Sequence, residues 1–132
     1  GEDGLMIRIV FGVILMLHGL VHLWFVTLAV RWVAFQPDMG WTGRSWLLTP
    51  TLGEGPARIV AAVFLSIAAA TFVVGGIAVL AQVPWWRPAL VLAAILSTVV
   101  LLLVWDGGTE MLIQKGLIGV VINVLVLIVV AR

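Results

Sequence analysis

The two histidines of this 132-residue chain, His18 and His22, stand four residues apart within an uncharged apolar run from Ile9 to Val30. That spacing puts both imidazoles on one face of a helix, one turn apart. The run lies between Arg8 and Arg31, and a helix of that length crosses a hydrocarbon core about 30 Å thick, which leaves the pair near its midplane. An imidazole at that depth is costly unless it faces protein or a water-filled cavity, so the pair is the first functional candidate. The competing reading is structural, with the rings hydrogen-bonding to neighbouring helices and holding a bundle together.

Several chemistries are narrowed by what accompanies the pair. Two histidines at i, i+4 form the helix half of many zinc sites, but a catalytic zinc needs a third protein ligand. No cysteine exists in the chain, and the nearest acids, Glu54, Asp106 and Glu110, lie in connections that would have to fold deep into the bundle. Histidines one turn apart on one helix cannot take opposite axial positions on one iron, so haem requires a second chain or single-histidine ligation. Nucleophilic hydrolysis lacks a carboxylate to orient the imidazole. No catalytic residue is assigned, and a role other than catalysis is favoured.

The remaining polar groups fall at a similar depth. Ser66 and Thr71, Ser97 and Thr98, and Asn123 all count to within a couple of turns of mid-membrane. Asn123 is the most informative, because an amide in hydrocarbon needs partners, whereas Ser and Thr can bond back to their own helix. Together with His18 and His22 these five residues form the expected ligand-binding set. The ligand that demands least is a largely apolar molecule, quinone-like or lipid-like, held between helices by one or two hydrogen bonds. The alternatives are a scaffold or assembly subunit with a purely structural polar layer, and a small transporter or metal- or haem-binding membrane protein.

The elements that must position these groups follow from composition and pattern. With 64% hydrophobic and 10% charged residues and a mean hydropathy of +1.28, the chain is that of a single-domain, all-α integral membrane protein. A net charge of +1 without a basic run argues against nucleic acid as a partner. Four apolar runs predict helices over about 6–33, 56–81, 88–105 and 110–131, an up-down-up-down bundle with both termini on one side. Gly1 to Leu5 are set aside from the functional argument. In the first helix Phe11, Leu15, His18, His22, Phe25 and Ala29 form one stripe, with Phe11 and Phe25 bracketing the histidines and Gly12 and Gly19 beside them. The second helix is rich in Ala and Gly and suits close packing or a partner helix, as does Gly116-x-x-Gly119 in the fourth.

The first connection is the longest. Gln36 to Gly40 and Thr49 to Gly55 read as its turn-rich ends, and Trp41 to Leu48 between them as an interfacial segment covering the mouth of the bundle. Thr109 is the expected cap of the fourth helix, with Glu110 in its first turn and Lys115 snorkelling. Six of the seven tryptophans fall at predicted interfaces, and Trp24 alone inside a span. The positive-inside rule does not orient the chain, because Arg8, Arg87 and Arg132 face Arg31, Arg44, Arg58 and Lys115.

Arg8, Gly12, Gly19, His22 and Leu23, with the four-helix plan, resemble the DoxX-like group of small bacterial membrane proteins. The resemblance implies a multi-pass protein of the bacterial inner membrane with a redox-associated or accessory role, since that group includes small subunits linked to quinone-dependent sulfur oxidation. The expected partners are the bilayer and either further copies of the chain or a membrane complex. The Trp-rich first connection and His18 depart from the resemblance, and no catalytic residue is carried over.

Overall fold

The computed structural model describes residues 2–34, 41–108 and 116–131. Those residues form five helices and no strand: α1 (Glu2–Ala29), α2 (Leu48–Leu52), α3 (Glu54–Ala81), α4 (Trp86–Val104) and α5 (Ile118–Ala131). Helices α1, α3 and α4 are long and apolar enough to cross a membrane. At 1.5 Å per residue α1 and α3 are about 42 Å long and α4 about 28 Å. Helix α5 has 14 residues and is also apolar. The expected turn at Gln36 to Gly40 lies outside the described residues, as do Thr109, Glu110, Lys115 and Arg132.

Several helix ends differ from expectation, each for a local reason. Helix α1 begins at Glu2 rather than Met6, with Glu2 and Asp3 in its first turn, where carboxylates complement the helix dipole. It stops at Ala29 rather than Val33. Arg31 enters the left-handed region (φ 60°), Arg31 N donates to Leu28 O and Trp32 N to Thr27 O, the paired closure of a Schellman motif. Gln82 (φ 57°) ends α3 in the same way, through Gln82 N to Val79 O and Val83 N to Ala78 O. Helices α3 and α4 start two residues before Pro56 and Pro88. Each proline is then the third helical residue, where the missing N–H has no intrahelical partner to lose.

Glycines set the helix spacing. A Cβ on Gly19 would lie 2.8 Å from Phe72 Cβ and 3.0 Å from Ala69 O, and one on Gly76 would lie 2.9 Å from Gly12 O. Helices α1 and α3 therefore meet backbone to backbone, and the alanine-rich face of α3, expected as a seat for a partner helix, is filled within the chain. Contacts then continue from α3 to α4 and from α4 to α5. Two apolar clusters result, one around Phe25, Leu28, Trp41, Leu65 and Val104, the other around Leu15, Phe72, Val79, Leu90 and Val126. The outer face is apolar as well. Val13, Leu17, Ile67, Val99 and Leu125 are each at least 43% exposed, a surface suited to lipid.

The long connection is more ordered than a turn-rich reading implies. Thr49 to Leu52 belong to α2, and Glu54 already opens α3. Ser45 Oγ accepts from Leu47 N and Leu48 N, while Ser45 N donates to Thr49 Oγ1, so the two hydroxyls fasten the start of α2. The segment lies against the bundle with one set of residues turned in and another out: Trp41 is 1% exposed, with its ring edge-on to Phe25, and plugs the bundle, whereas Trp46 is 53% exposed. Its donors also complete α4. A helix leaves its last four carbonyls without intrahelical partners. Here Trp46 Nε1 donates to Leu102 O, Ser45 Oγ to Leu103 O, Trp41 Nε1 to Val104 O and Trp46 N to Trp105 O. Arg58 closes the same corner from α3, donating through Nη1 to Leu28 O at the end of α1 and through Nη2 to Glu54 Oε1. Gly43 (φ 81°) packs against that guanidinium, and a Cβ there would lie 2.2 Å from Nη1.

Candidate functional site

Between the two apolar clusters lies a polar layer built from α1, α4 and α5. His18 is 7% exposed, His22 2%, and Ser97 and Asn123 are sealed. His18 Nε2 lies 2.9 Å from Asn123 Oδ1, and His22 Nε2 lies 2.6 Å from Ser97 Oγ. Asn123 Nδ2 donates to Ser97 Oγ (3.0 Å) and to Thr98 Oγ1 (3.1 Å). The ring closes on α1 itself, where His22 Nδ1 lies 3.0 Å from His18 O.

Two backbone carbonyls fix the direction of every bond in this ring when both imidazoles are neutral. A carbonyl only accepts, so His22 Nδ1 carries the proton and His22 Nε2 is an acceptor, filled by the Ser97 hydroxyl. Ser97 Oγ must then accept from the amide nitrogen of Asn123. Thr98 Oγ1 has given its proton to Ala94 O (2.8 Å) and also accepts from that nitrogen. Asn123 Oδ1 is left facing His18, so His18 Nε2 donates. Each donor in the layer meets an acceptor, the condition under which buried polar groups stabilise a bundle in the absence of water.

The aromatic neighbour of the histidines is Phe72 of α3. Its ring lies 4.6 Å edge-on from that of His18 and 5.8 Å, nearly parallel, from that of His22. Phe11 and Phe25, expected on either side of the histidines, pack on the two apolar clusters that flank the layer, Phe11 on the one that holds Phe72 and Phe25 against Trp41, so the ring in contact with the imidazoles is that of Phe72. Phe72 was hidden in the sequence because a lone Phe among small residues reads as ordinary packing. Ser66 and Thr71 do not join the network. Ser66 is exposed, and both hydroxyls donate to their own helix, at Ala62 O and Ala68 O. Among the described residues no third histidine, cysteine or carboxylate joins the pair into a metal-binding group.

The layer opens on one side. Helices α1 and α5 stand on either side of a cleft of about 520 Å³, with His18 and His22 in its wall. Leu17, Val21 and Trp24 of α1, Leu101 of α4, and Ile118 and Ile122 of α5 supply apolar walls. Leu17, Val21, Trp24 and Ile118 are each at least 41% exposed on the outer, apolar face, so the mouth opens sideways and not toward a helix end. Gly119 lines the floor, where a Cβ would lie 3.6 Å from His18 Cε1 and 3.0 Å from Leu101 Cδ1. Small-molecule sites in general are clefts of about 300–1,000 Å³ with a mostly apolar lining and a few polar atoms, and this cleft falls within those dimensions. Comparison with protein-family models, curated proteins and solved structures returns no match to this chain.

Proposed function

We propose that this chain is a four-span bundle of the bacterial inner membrane, in which α1, α3, α4 and α5 run up, down, up and down. In this reading it binds a quinone-like or lipid-like molecule that enters from the bilayer between α1 and α5. The contact register supports the topology: Gly12 meets Leu80 where Gly19 meets Phe72, and Arg87 reaches Val130 where Leu101 meets Gly116. The observation that carries the binding reading is the sideways cleft with a histidine pair in its otherwise apolar wall. A membrane protein rarely leaves ionisable residues beside lipid unless they contact a ligand, an ion path or one another. The DoxX-like resemblance in α1 fits a redox-associated or accessory subunit.

A second reading has its own observation. Every donor of the network is satisfied internally, and Gly119, with no side chain, leaves room at the floor of the cleft for a partner helix to approach, as a scaffold subunit requires. Native mass spectrometry from mild detergent separates the two. Binding predicts a retained small molecule on the wild type that is lost in Val21→Trp, which fills the cleft without touching the network. The scaffold reading predicts an oligomer that the same substitution splits. A ligand-free monomer in the wild type counts against both.

A further inference from the structure

We infer that the cleft selects an apolar molecule bearing a hydroxyl donor, such as a phenol, a quinol or a long-chain alcohol, over one that offers only carbonyl or ether oxygens. The inference rests on the binding reading above and adds the polarity of the site. It comes from the fourth nitrogen of the histidine pair. Three of the four ring nitrogens have partners within the layer: His18 Nε2 on Asn123, His22 Nδ1 on the His18 carbonyl, and His22 Nε2 on Ser97. His18 Nδ1 has none among the described residues, although its side chain is more than nine-tenths buried.

Nor is that atom sealed. Among the described residues the enclosed side-chain polar atoms without a partner are Arg8 Nε and Arg58 Nε; Nδ1 is not one of them, and since His18 lines the cleft we place Nδ1 at its wall. With Nε2–H committed to Asn123, Nδ1 of the neutral ring presents a lone pair. A hydroxyl donates to it, whereas a carbonyl or ether oxygen meets it lone pair to lone pair. The alternative tautomer is held off by the rest of the ring. Moving the proton to Nδ1 makes Nε2 an acceptor and requires Asn123 to turn its amide. That turn sets Oδ1 against Ser97 and Thr98, whose protons already serve His22 and Ala94. One of those bonds must then be given up at a depth where water does not replace it. Of the two forms of a quinone, the site therefore favours the reduced one, which carries hydroxyls.

The test uses the full chain in lipid nanodiscs with three matched probes: para-dodecylphenol, its methyl ether, and dodecanophenone, an alkyl aryl ketone. The phenol is expected to bind roughly tenfold more tightly than either of the others, a factor equal to about 1.4 kcal/mol, and Val21→Trp is expected to abolish binding of all three. Equal or tighter binding of the ether or ketone, still abolished by Val21→Trp, overturns the donor selection and leaves the binding reading standing. Binding of none of the three overturns both. Nitrogen-15 spectra of the histidine rings supply a second readout: His18 is expected as the Nε2–H tautomer, with the Nδ1 resonance moved by the phenol and not by the ether. A proton on Nδ1 of the free protein overturns the inference whatever the probes do.

Discussion

At the scale of single residues, His18 and His22 are not equivalent despite their identical chemistry and shared helix face. Both line the cleft, but His22 has one nitrogen on its own helix and the other on Ser97, whereas His18 has one nitrogen on Asn123 and no partner in the layer for the other. Asn123 is the hub, because its amide serves three partners at once. Asn123→Ala should therefore destabilise the bundle by about 1–3 kcal/mol, the cost of leaving buried donors and acceptors unpaired. Thr71→Ala should fall within about 0.5 kcal/mol of wild type, since its hydroxyl returns to Ala68 O and serves no other helix. Reversible unfolding in mixed micelles compares the two, and equal losses would mean that the network is not what holds α5 in place. Asn123 was legible in the sequence because an amide in an apolar span demands partners. Ser66 and Thr71 were indistinguishable from Ser97 and Thr98 there, because depth is readable from counting and helix face depends on what packs beside it.

At the scale of elements, the α1–α3 seam and the plug from Trp41 to Trp46 determine where the site forms. The seam places Phe72 against both imidazoles only because Gly19 lets the helices approach. Gly19→Ala should cost about 1–3 kcal/mol, because its methyl group meets the Ala69 backbone oxygen, which cannot turn aside as a side chain does. Gly55→Ala is the matched control: a Cβ there has nothing within 4 Å, and stability should be unchanged or slightly raised. Thermal unfolding of the two variants in the same detergent checks the contrast, and equal effects would refute a backbone-to-backbone seam. The plug shows a different limit of sequence reading. Tryptophan content placed the segment against the bundle, yet that Trp41, Ser45 and Trp46 would meet the four open carbonyls of α4 depended on a contact about 60 residues away in the chain.

At the scale of the molecule, large apolar side chains cover the outer surface as well as the core, and the polar side chains that bond between helices are gathered into one layer and the helix ends. The exposed Arg31–Glu54 pair at one such end adds little to stability, as exposed ion pairs generally do. The four-span reading makes both ends of the chain face the same side of the membrane. Because the chain contains no cysteine, Gly4→Cys and Ala131→Cys each introduce a unique thiol. A membrane-impermeant maleimide applied to sealed vesicles should label both variants or neither, and labelling of one alone would end the up-down-up-down plan.

The sequence by itself determined that this is an all-helical chain with spans suited to a membrane, and that His18, His22 and Asn123 lie at one depth. These properties follow from local pattern: the length of uncharged runs, the i, i+4 repeat, and the cost of a polar group in hydrocarbon. Helix ends were less legible, because Arg31 and Gln82 close their helices in a conformation that glycine usually marks. Only the tertiary structure decided which hydroxyls complete the network, that Phe72 is the ring beside the histidines, and that α1 and α5 part to leave a cleft with the histidine pair in its wall. Each of these depends on the rotation of one helix about its axis relative to another. That rotation is set by glycine contacts and shape complementarity between distant segments, and it leaves no periodic trace in either segment alone.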